Sequence, residues 1–251
     1  MQGQDIGAVF RALHHQDRPF IIPNPWDAGS ARMLEAKGFK ALASTSAGLA
    51  FSLGRPEGVI AREEVMAHCR ALVGAVSVPV SADLEDGYGD SLKEVGETYR
   101  QAADAGLAGA SIEDARSGDG GAAYDVGLAA DRVRAAVDAV RGIGRDFVLT
   151  ARCEHFLHGR PDLGETIRRL QAYQEAGADV LFAPGLTSLQ DIRSLVSSVD
   201  RPVNVIVGVR DAELTVDQLA AADEMLRTGG FGFAKSAPAY GEINAFFAGR
   251  R

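Results

Sequence analysis

A chain of 251 residues that is 46% apolar and 24% charged can bury one large core, and its length suits a single α/β barrel as readily as two small domains. A formal net charge of −8 without a basic run argues against a nucleic-acid surface. No stretch reaches the roughly 18–20 apolar residues of a membrane helix, and residues 1–18 hold no apolar run of signal-peptide length. Cys69 and Cys153 are far apart and lack ligand-type spacing. That fits a reducing, cytoplasmic setting and argues against a disulfide framework or a structural zinc.

In chain order, short apolar runs rich in β-branched or small residues fall at 20–22, 41–43, 78–81, 109–112, 147–150, 180–183, 203–207 and 232–234. Stretches of helical period lie between them, at 30–37, 62–75, 92–105, 129–141, 164–176, 189–199 and 216–227. Repeated strand-helix units predict a parallel sheet. Gly38, Gly106 and Gly177 each sit just past the last periodic turn, where a left-handed helix cap falls. No GxGxxG follows the first run, so a Rossmann fold gives way to a (β/α)8 barrel forming one domain over 1–251, with an N-terminal helix and a short C-terminal helix. Ser117-Gly-Asp-Gly-Gly121 reads as a mobile loop after the fourth strand.

Barrel enzymes gather their active sites at the C-terminal ends of the strands. Here those ends carry Asn24 and Asp27, then Ser44, Thr45 and Ser46, then Asp83, Glu85 and Asp86, then Glu113 and Asp114, then Arg152 and Glu154. On an extended backbone Asp83 and Glu85 project to one side and can face a hard cation, with Glu113 completing the shell through water. Mg2+ suits such oxygens, with Mn2+ an alternative; a solvated acidic turn before Gly87-Tyr-Gly89 is the competing interpretation. Arg152 offers a fixed fork of donors for a substrate carboxylate, or an internal ion pair with Glu113 or Glu154. Ser44, Thr45 and Ser46 precede Ala47-Gly48, a small-residue turn whose amides and hydroxyls can cradle an oxyanion, although such residues also simply form turns. His155 and His158 read as loop residues beside the site, Cys153 lacks a base that would make it a nucleophile, and Lys235 reads as an ion-pairing lysine rather than a Schiff-base amine.

These motifs resemble the isocitrate lyase and phosphoenolpyruvate mutase superfamily. The likeness runs through Pro23-Asn-Pro-Trp-Asp-Ala-Gly-Ser-Ala-Arg32, the stretch from Ser44 to Gly58, Ala82-Asp-Leu-Glu-Asp-Gly-Tyr-Gly89, Ser111-Ile-Glu-Asp114, Thr150-Ala-Arg-Cys-Glu-His-Phe156 and Ala176-Gly-Ala-Asp-Val180. The resemblance implies Mg2+ at Asp83 and Glu85 with Glu113 outside, the oxo-acid on Thr45, Ser46 and Arg152, and a functional carboxylate at Glu57. It also implies a homo-oligomer, dimer or tetramer. In place of the Lys-Lys-Cys-Gly loop of the lyases and the mutase stands Ala115-Arg-Ser-Gly-Asp-Gly-Gly121, so the chain resembles the smaller branch that includes oxaloacetate decarboxylase-like proteins.

The expected function is a Mg2+-dependent lyase or decarboxylase. It would cleave a C–C bond of a small 2-oxo or 2-hydroxy dicarboxylate through a pyruvate-type enolate, with Arg152 on the distal carboxylate. Phosphonopyruvate-type P–C chemistry, as a mutase or hydrolase, and a catalytically reduced oxo-acid-binding protein are the alternatives.

Overall fold

The computed structural model describes residues 5–16, 19–117 and 120–207. Among these residues six strands, β1 (Leu42–Ala43), β2 (Val80–Asp83), β3 (Gly109–Glu113), β4 (Val148–Arg152), β5 (Val180–Phe182) and β6 (Val203–Asn204), form one sheet in the order β1-β2-β3-β4-β5-β6. Every neighbouring pair is parallel. An order that never reverses is that of a singly wound sheet. Crossovers of one hand then put the helices on one face, whereas a Rossmann sheet reverses at its switch point.

The crossovers are helical. After α1 (Ile6–Leu13) and α2 (Ala28–Ala36), β1 leads to β2 through α3 (Ser46–Ser52) and α4 (Arg62–Ala75). The next connections are α5 (Leu92–Asp104), α6 (Val126–Arg141), α7 (Leu163–Glu175) and α8 (Leu189–Val196). In α5, Val95, Tyr99 and Ala102 recur on one face and are fully buried, which is the spacing of a stripe packed on a sheet. Ser91 and Glu94 close its first turn as a capping box. Gly38, Gly106 and Gly177 take the left-handed conformation expected of caps, with φ of 91°, 87° and 106°. None of the helices among the described residues is long and apolar enough to cross a membrane.

At the N-terminal end of the sheet, Phe10 and Leu13 of α1 pack on Ala41, Ala108, Val148 and Val180, close to where four strands begin. Arg11 pins the helix there, donating to Asp146, Asp179 and the carbonyl of Phe147. Gly7 is needed for this approach, since a Cβ there would lie 1.8 Å from the Asp146 carbonyl oxygen.

Two expectations change. Residues 20–22 are not a strand. Only the Ala43 amide bond to Pro23 O (3.1 Å) and the Asn24 side-chain bond to Ala43 O (3.0 Å) tie the region to β1. Pro19, Pro23 and Pro25 lack the N–H groups a ladder requires. The turn expected at Ala47-Gly48 is instead α3, with Thr45 as its N-cap. The helix at 216–227, the strand at 232–234, Lys235 and the short C-terminal helix lie outside the described residues.

Candidate active site

The ends of β1 to β4 bring together the residues the sequence singled out. Asp83 closes β2, and its backbone N–H donates to Ser44 Oγ at 2.9 Å. Ser46 returns two bonds to Asp83 Oδ2, from its amide at 3.3 Å and its hydroxyl at 3.0 Å. The same hydroxyl donates to Glu57 Oε1 in close contact. Thr45 accepts from Gly48 N at 3.2 Å as the helix cap. The three hydroxyls therefore do not form an open cradle: Ser44 and Ser46 hold Asp83, and Thr45 starts α3.

Register sets Glu113 opposite Arg152 across β3 and β4. The Arg152 guanidinium lies 3.0 Å from Glu113, 3.3 Å from Asp83 and 2.8 Å from Glu154, and 5.1 Å above the Phe182 ring. The internal ion pair is thus the arrangement present, shared among three carboxylates. Burial drives the Glu113 carboxyl well above the carboxylate range, with Arg152 pulling it down and Glu154, Asp83 and Glu57 pushing it further up. Glu154 is raised for the same reason, again against the pull of Arg152. This is what like charges do when desolvated together.

Glu85 departs from the alternating-strand expectation. β2 ends at Asp83, and Glu85 turns into the left-handed region with φ of 46°, followed by Tyr88 at 52°. Its direction is therefore set by a strained turn and not by strand alternation. The turn is held by the Glu85 amide on Asp83 Oδ1 (3.2 Å), the Glu113 amide on Glu85 O (2.8 Å) and the Tyr88 hydroxyl on Glu85 Oε1 (2.7 Å). Burial lifts the Glu85 carboxyl to about 7 despite the Tyr88 and Ser117 donors.

Behind this group lies a second layer, in which Asp86 and Asp114, named among the strand-end acids, meet partners that the sequence did not indicate. Asp114 accepts from Glu154 N (2.8 Å), Tyr173 Oη (2.7 Å) and Arg169 (3.2 Å). Asp86 accepts from Tyr124 Oη (2.8 Å) and Ser117 Oγ (3.1 Å). Fully buried Arg132 donates to the carbonyls of Asp86, Gly89 and Asp90 and stacks on Tyr124. The one sequence signal was the doubling of acids in Glu85-Asp86 and Glu113-Asp114. Asn24 and Asp27 serve structure instead, Asp27 as the N-cap of α2. Cys153 is buried and its thiol is pushed up by that burial, which suits no nucleophile.

The expected mobile loop after β3 is tied at both ends. Ala115 and Ala123 form an antiparallel bridge, Arg116 N donates to Ala122 O (2.9 Å), and Tyr124 N donates to Asp114 O (2.8 Å). Ser44, Thr45, Ser46, Glu57, Asp83, Glu85, Glu113, Arg152 and Glu154 all line one hollow, and Arg116 and His158 line it too. Among the described residues no three His, Cys, Asp or Glu side chains stand in a ready-made metal cage.

A singly wound parallel α/β sheet with acids and Arg152 gathered at its strand ends is the design of barrel-type enzymes. Comparison with known sequences narrows the class. The chain belongs to the phosphoenolpyruvate phosphomutase family, which it matches over residues 10–234, and so to the isocitrate lyase and phosphoenolpyruvate mutase superfamily. It is 32% identical over 226 residues to the 2-methylisocitrate lyase of Escherichia coli (strain K12), covering 86% of this chain and 75% of that one. A solved structure from Burkholderia cenocepacia J2315, assigned provisionally as a lyase/mutase, matches with a TM-score of 0.85 at 49% identity, over 92% of this chain and 83% of that one. Oxaloacetate acetylhydrolase in complex with its product oxalate matches with a TM-score of 0.80 at 27% identity, over 96% and 85%.

Proposed function

We propose that the chain is a divalent-cation-dependent lyase or decarboxylase that breaks a carbon–carbon bond of a small 2-oxo or 2-hydroxy dicarboxylate. The observation that carries this reading is charge crowding. Asp83, Glu85, Glu113 and Glu154 gather at the strand ends, where among the described residues the Arg152 guanidinium is in contact with three of them. Buried like charges in that number ionise together only beside a further cation.

Hard oxygen donors suit Mg2+ or Mn2+, and Mg2+ needs only one or two carboxylates because it keeps several waters. Asp83 and Glu85 would hold the ion, with Glu113 acting through water. When bound, it supplies positive charge to the oxygen of an enolate as a bond to C3 breaks. The chain's own groups do the rest. Ser46 fixes Asp83, and Glu154 orients Arg152 through Nε. Arg152 exchanges an internal carboxylate for that of the oxo-acid. Glu57, bonded to the Ser46 hydroxyl, holds or returns a proton at Ser46 Oγ. Closure of the sheet into an eight-stranded barrel as one domain over 1–251, a cytoplasmic setting and assembly as a homo-oligomer belong to the same reading.

Oxaloacetate assayed for pyruvate with Mg2+ or Mn2+ is the test, with phosphonopyruvate followed by phosphorus NMR as the arm for P–C chemistry. Metal-dependent pyruvate formation, lost in Asp83→Ala, is expected. A broad oxo-acid panel with no turnover under either metal overturns the reading, and tight binding without turnover assigns a binding protein instead.

A further inference from the structure

The hairpin after β3 is fixed from three sides. Ser117 donates from its amide (3.3 Å) and hydroxyl (3.1 Å) to Asp86. Arg160 donates to Gly121 O at 2.7 Å. The His158 ring lies so close to Gly121 that a Cβ there would come within 2.2 Å of it. From this anchored strip Arg116 is exposed, lies 5.0 Å over the Tyr124 ring and faces the hollow that Asp83, Glu85, Glu113 and Arg152 also line. It stands three residues beyond Glu113, so the two Cα atoms are within about 11 Å.

Arg152 and Arg116, two of the described arginines that line this hollow, differ in their partners. Arg152 is engaged by three carboxylates, whereas among the described residues no carboxylate lies within ion-pair distance of the Arg116 guanidinium. A guanidinium stacked on a tyrosine face keeps its fork of donors available and partly oriented. A substrate with two carboxylates needs a second cationic contact away from the acidic centre, since its far carboxylate is repelled there. We infer that Arg116 reads the second carboxylate of the substrate and so selects dicarboxylates over monocarboxylic oxo-acids. The inference rests on the function proposed above, and moves the distal carboxylate from Arg152, where the sequence suggested it, to Arg116.

The test is binding of oxaloacetate, read as its KM from initial rates, or by calorimetry if no turnover occurs, and of pyruvate, read as its inhibition constant or calorimetrically, to the full chain with Mg2+, for wild type, Arg116→Met, Arg116→Lys and Gly121→Ala. Loss of a charge-assisted contact predicts about 10- to 100-fold weaker oxaloacetate binding in Arg116→Met, with pyruvate changed by less than about threefold. Lysine restores part of the loss, because it supplies the charge without the fork. Gly121→Ala shifts the hairpin off His158 and gives a smaller loss of the same selective kind. Wild type that binds oxaloacetate, with Arg116→Met indistinguishable from it or weakened equally for both ligands, overturns the role of Arg116 alone. Wild type that binds neither ligand overturns both this inference and the proposed function.

Discussion

Two acidic layers run side by side through this molecule, often on adjacent residues, and they are built on opposite terms. In the inner layer Asp86 and Asp114 each have their own partners: the donors Tyr124 and Ser117 with Arg132 as a 3.9 Å ion partner for the first, and the donors Tyr173, Arg169 and the Glu154 amide for the second. In the outer layer Asp83, Glu113 and Glu154 share one guanidinium, while Glu85 has a tyrosine hydroxyl. A satisfied buried network holds a fold together. A crowd of partly compensated acids adds little to stability and is explained by what it can bind.

The largest way to break this comparison is Asp114→Ala. It strands the buried Tyr173 hydroxyl and the Glu154 amide and leaves Glu165 as the one carboxylate on Arg169 among the described residues, and the cost should be about 2–5 kcal/mol in urea unfolding. A loss below about 1 kcal/mol would place Asp114 with the outer layer. Asp83→Asn has the opposite profile. Turnover should fall by about 10²- to 10³-fold, as for removal of one group that positions transition-state charge. The metal-free chain, relieved of one like charge, should melt no lower than wild type.

Proton linkage sharpens the same contrast. The Glu85 carboxyl is raised from 4.5 to about 7, so the folded state favours its protonated form. The resulting advantage is complete below pH 4.5 and disappears as pH rises through about 7, a swing on the order of 3 kcal/mol. In chelator, wild type should therefore lose stability across that window relative to Glu85→Gln; a wild-type stability that rises with pH relative to Glu85→Gln would contradict the assignment. Tyr88→Phe is the smallest step. It removes the donor to Glu85 and should cost about 1 kcal/mol at neutral pH, read by the same melting experiment.

What the sequence made legible follows from local physics. The helix expected at 62–75 is α4 at the same bounds, and three glycine caps take positive φ, because periodicity and capping depend only on near neighbours. Six of the apolar runs became strands for the same reason. Convergence of Asp83, Glu113 and Arg152 followed from the parallel register once the strands were correctly placed. The turn at Glu85 was not legible, since two non-glycine residues with positive φ carry no residue-type signal. Thr45 as a cap was obscured by reading its hydroxyl as a ligand contact. Arg132 and Arg169 were missed because they reach Asp86 and Asp114 from helices 46 and 55 positions further along the chain, a pairing that only the packed fold creates.

The most direct measurement is a calorimetric Mn2+ titration of the metal-free full chain at neutral pH, alongside Asp83→Asn. One saturable ion per chain in wild type, accompanied by proton release and lost in the variant, is the outcome that follows if these acids await a cation. Absence of saturable binding, or binding that Asp83→Asn leaves unchanged, would show that the crowded carboxylates are neutralised by protons and Arg152 alone.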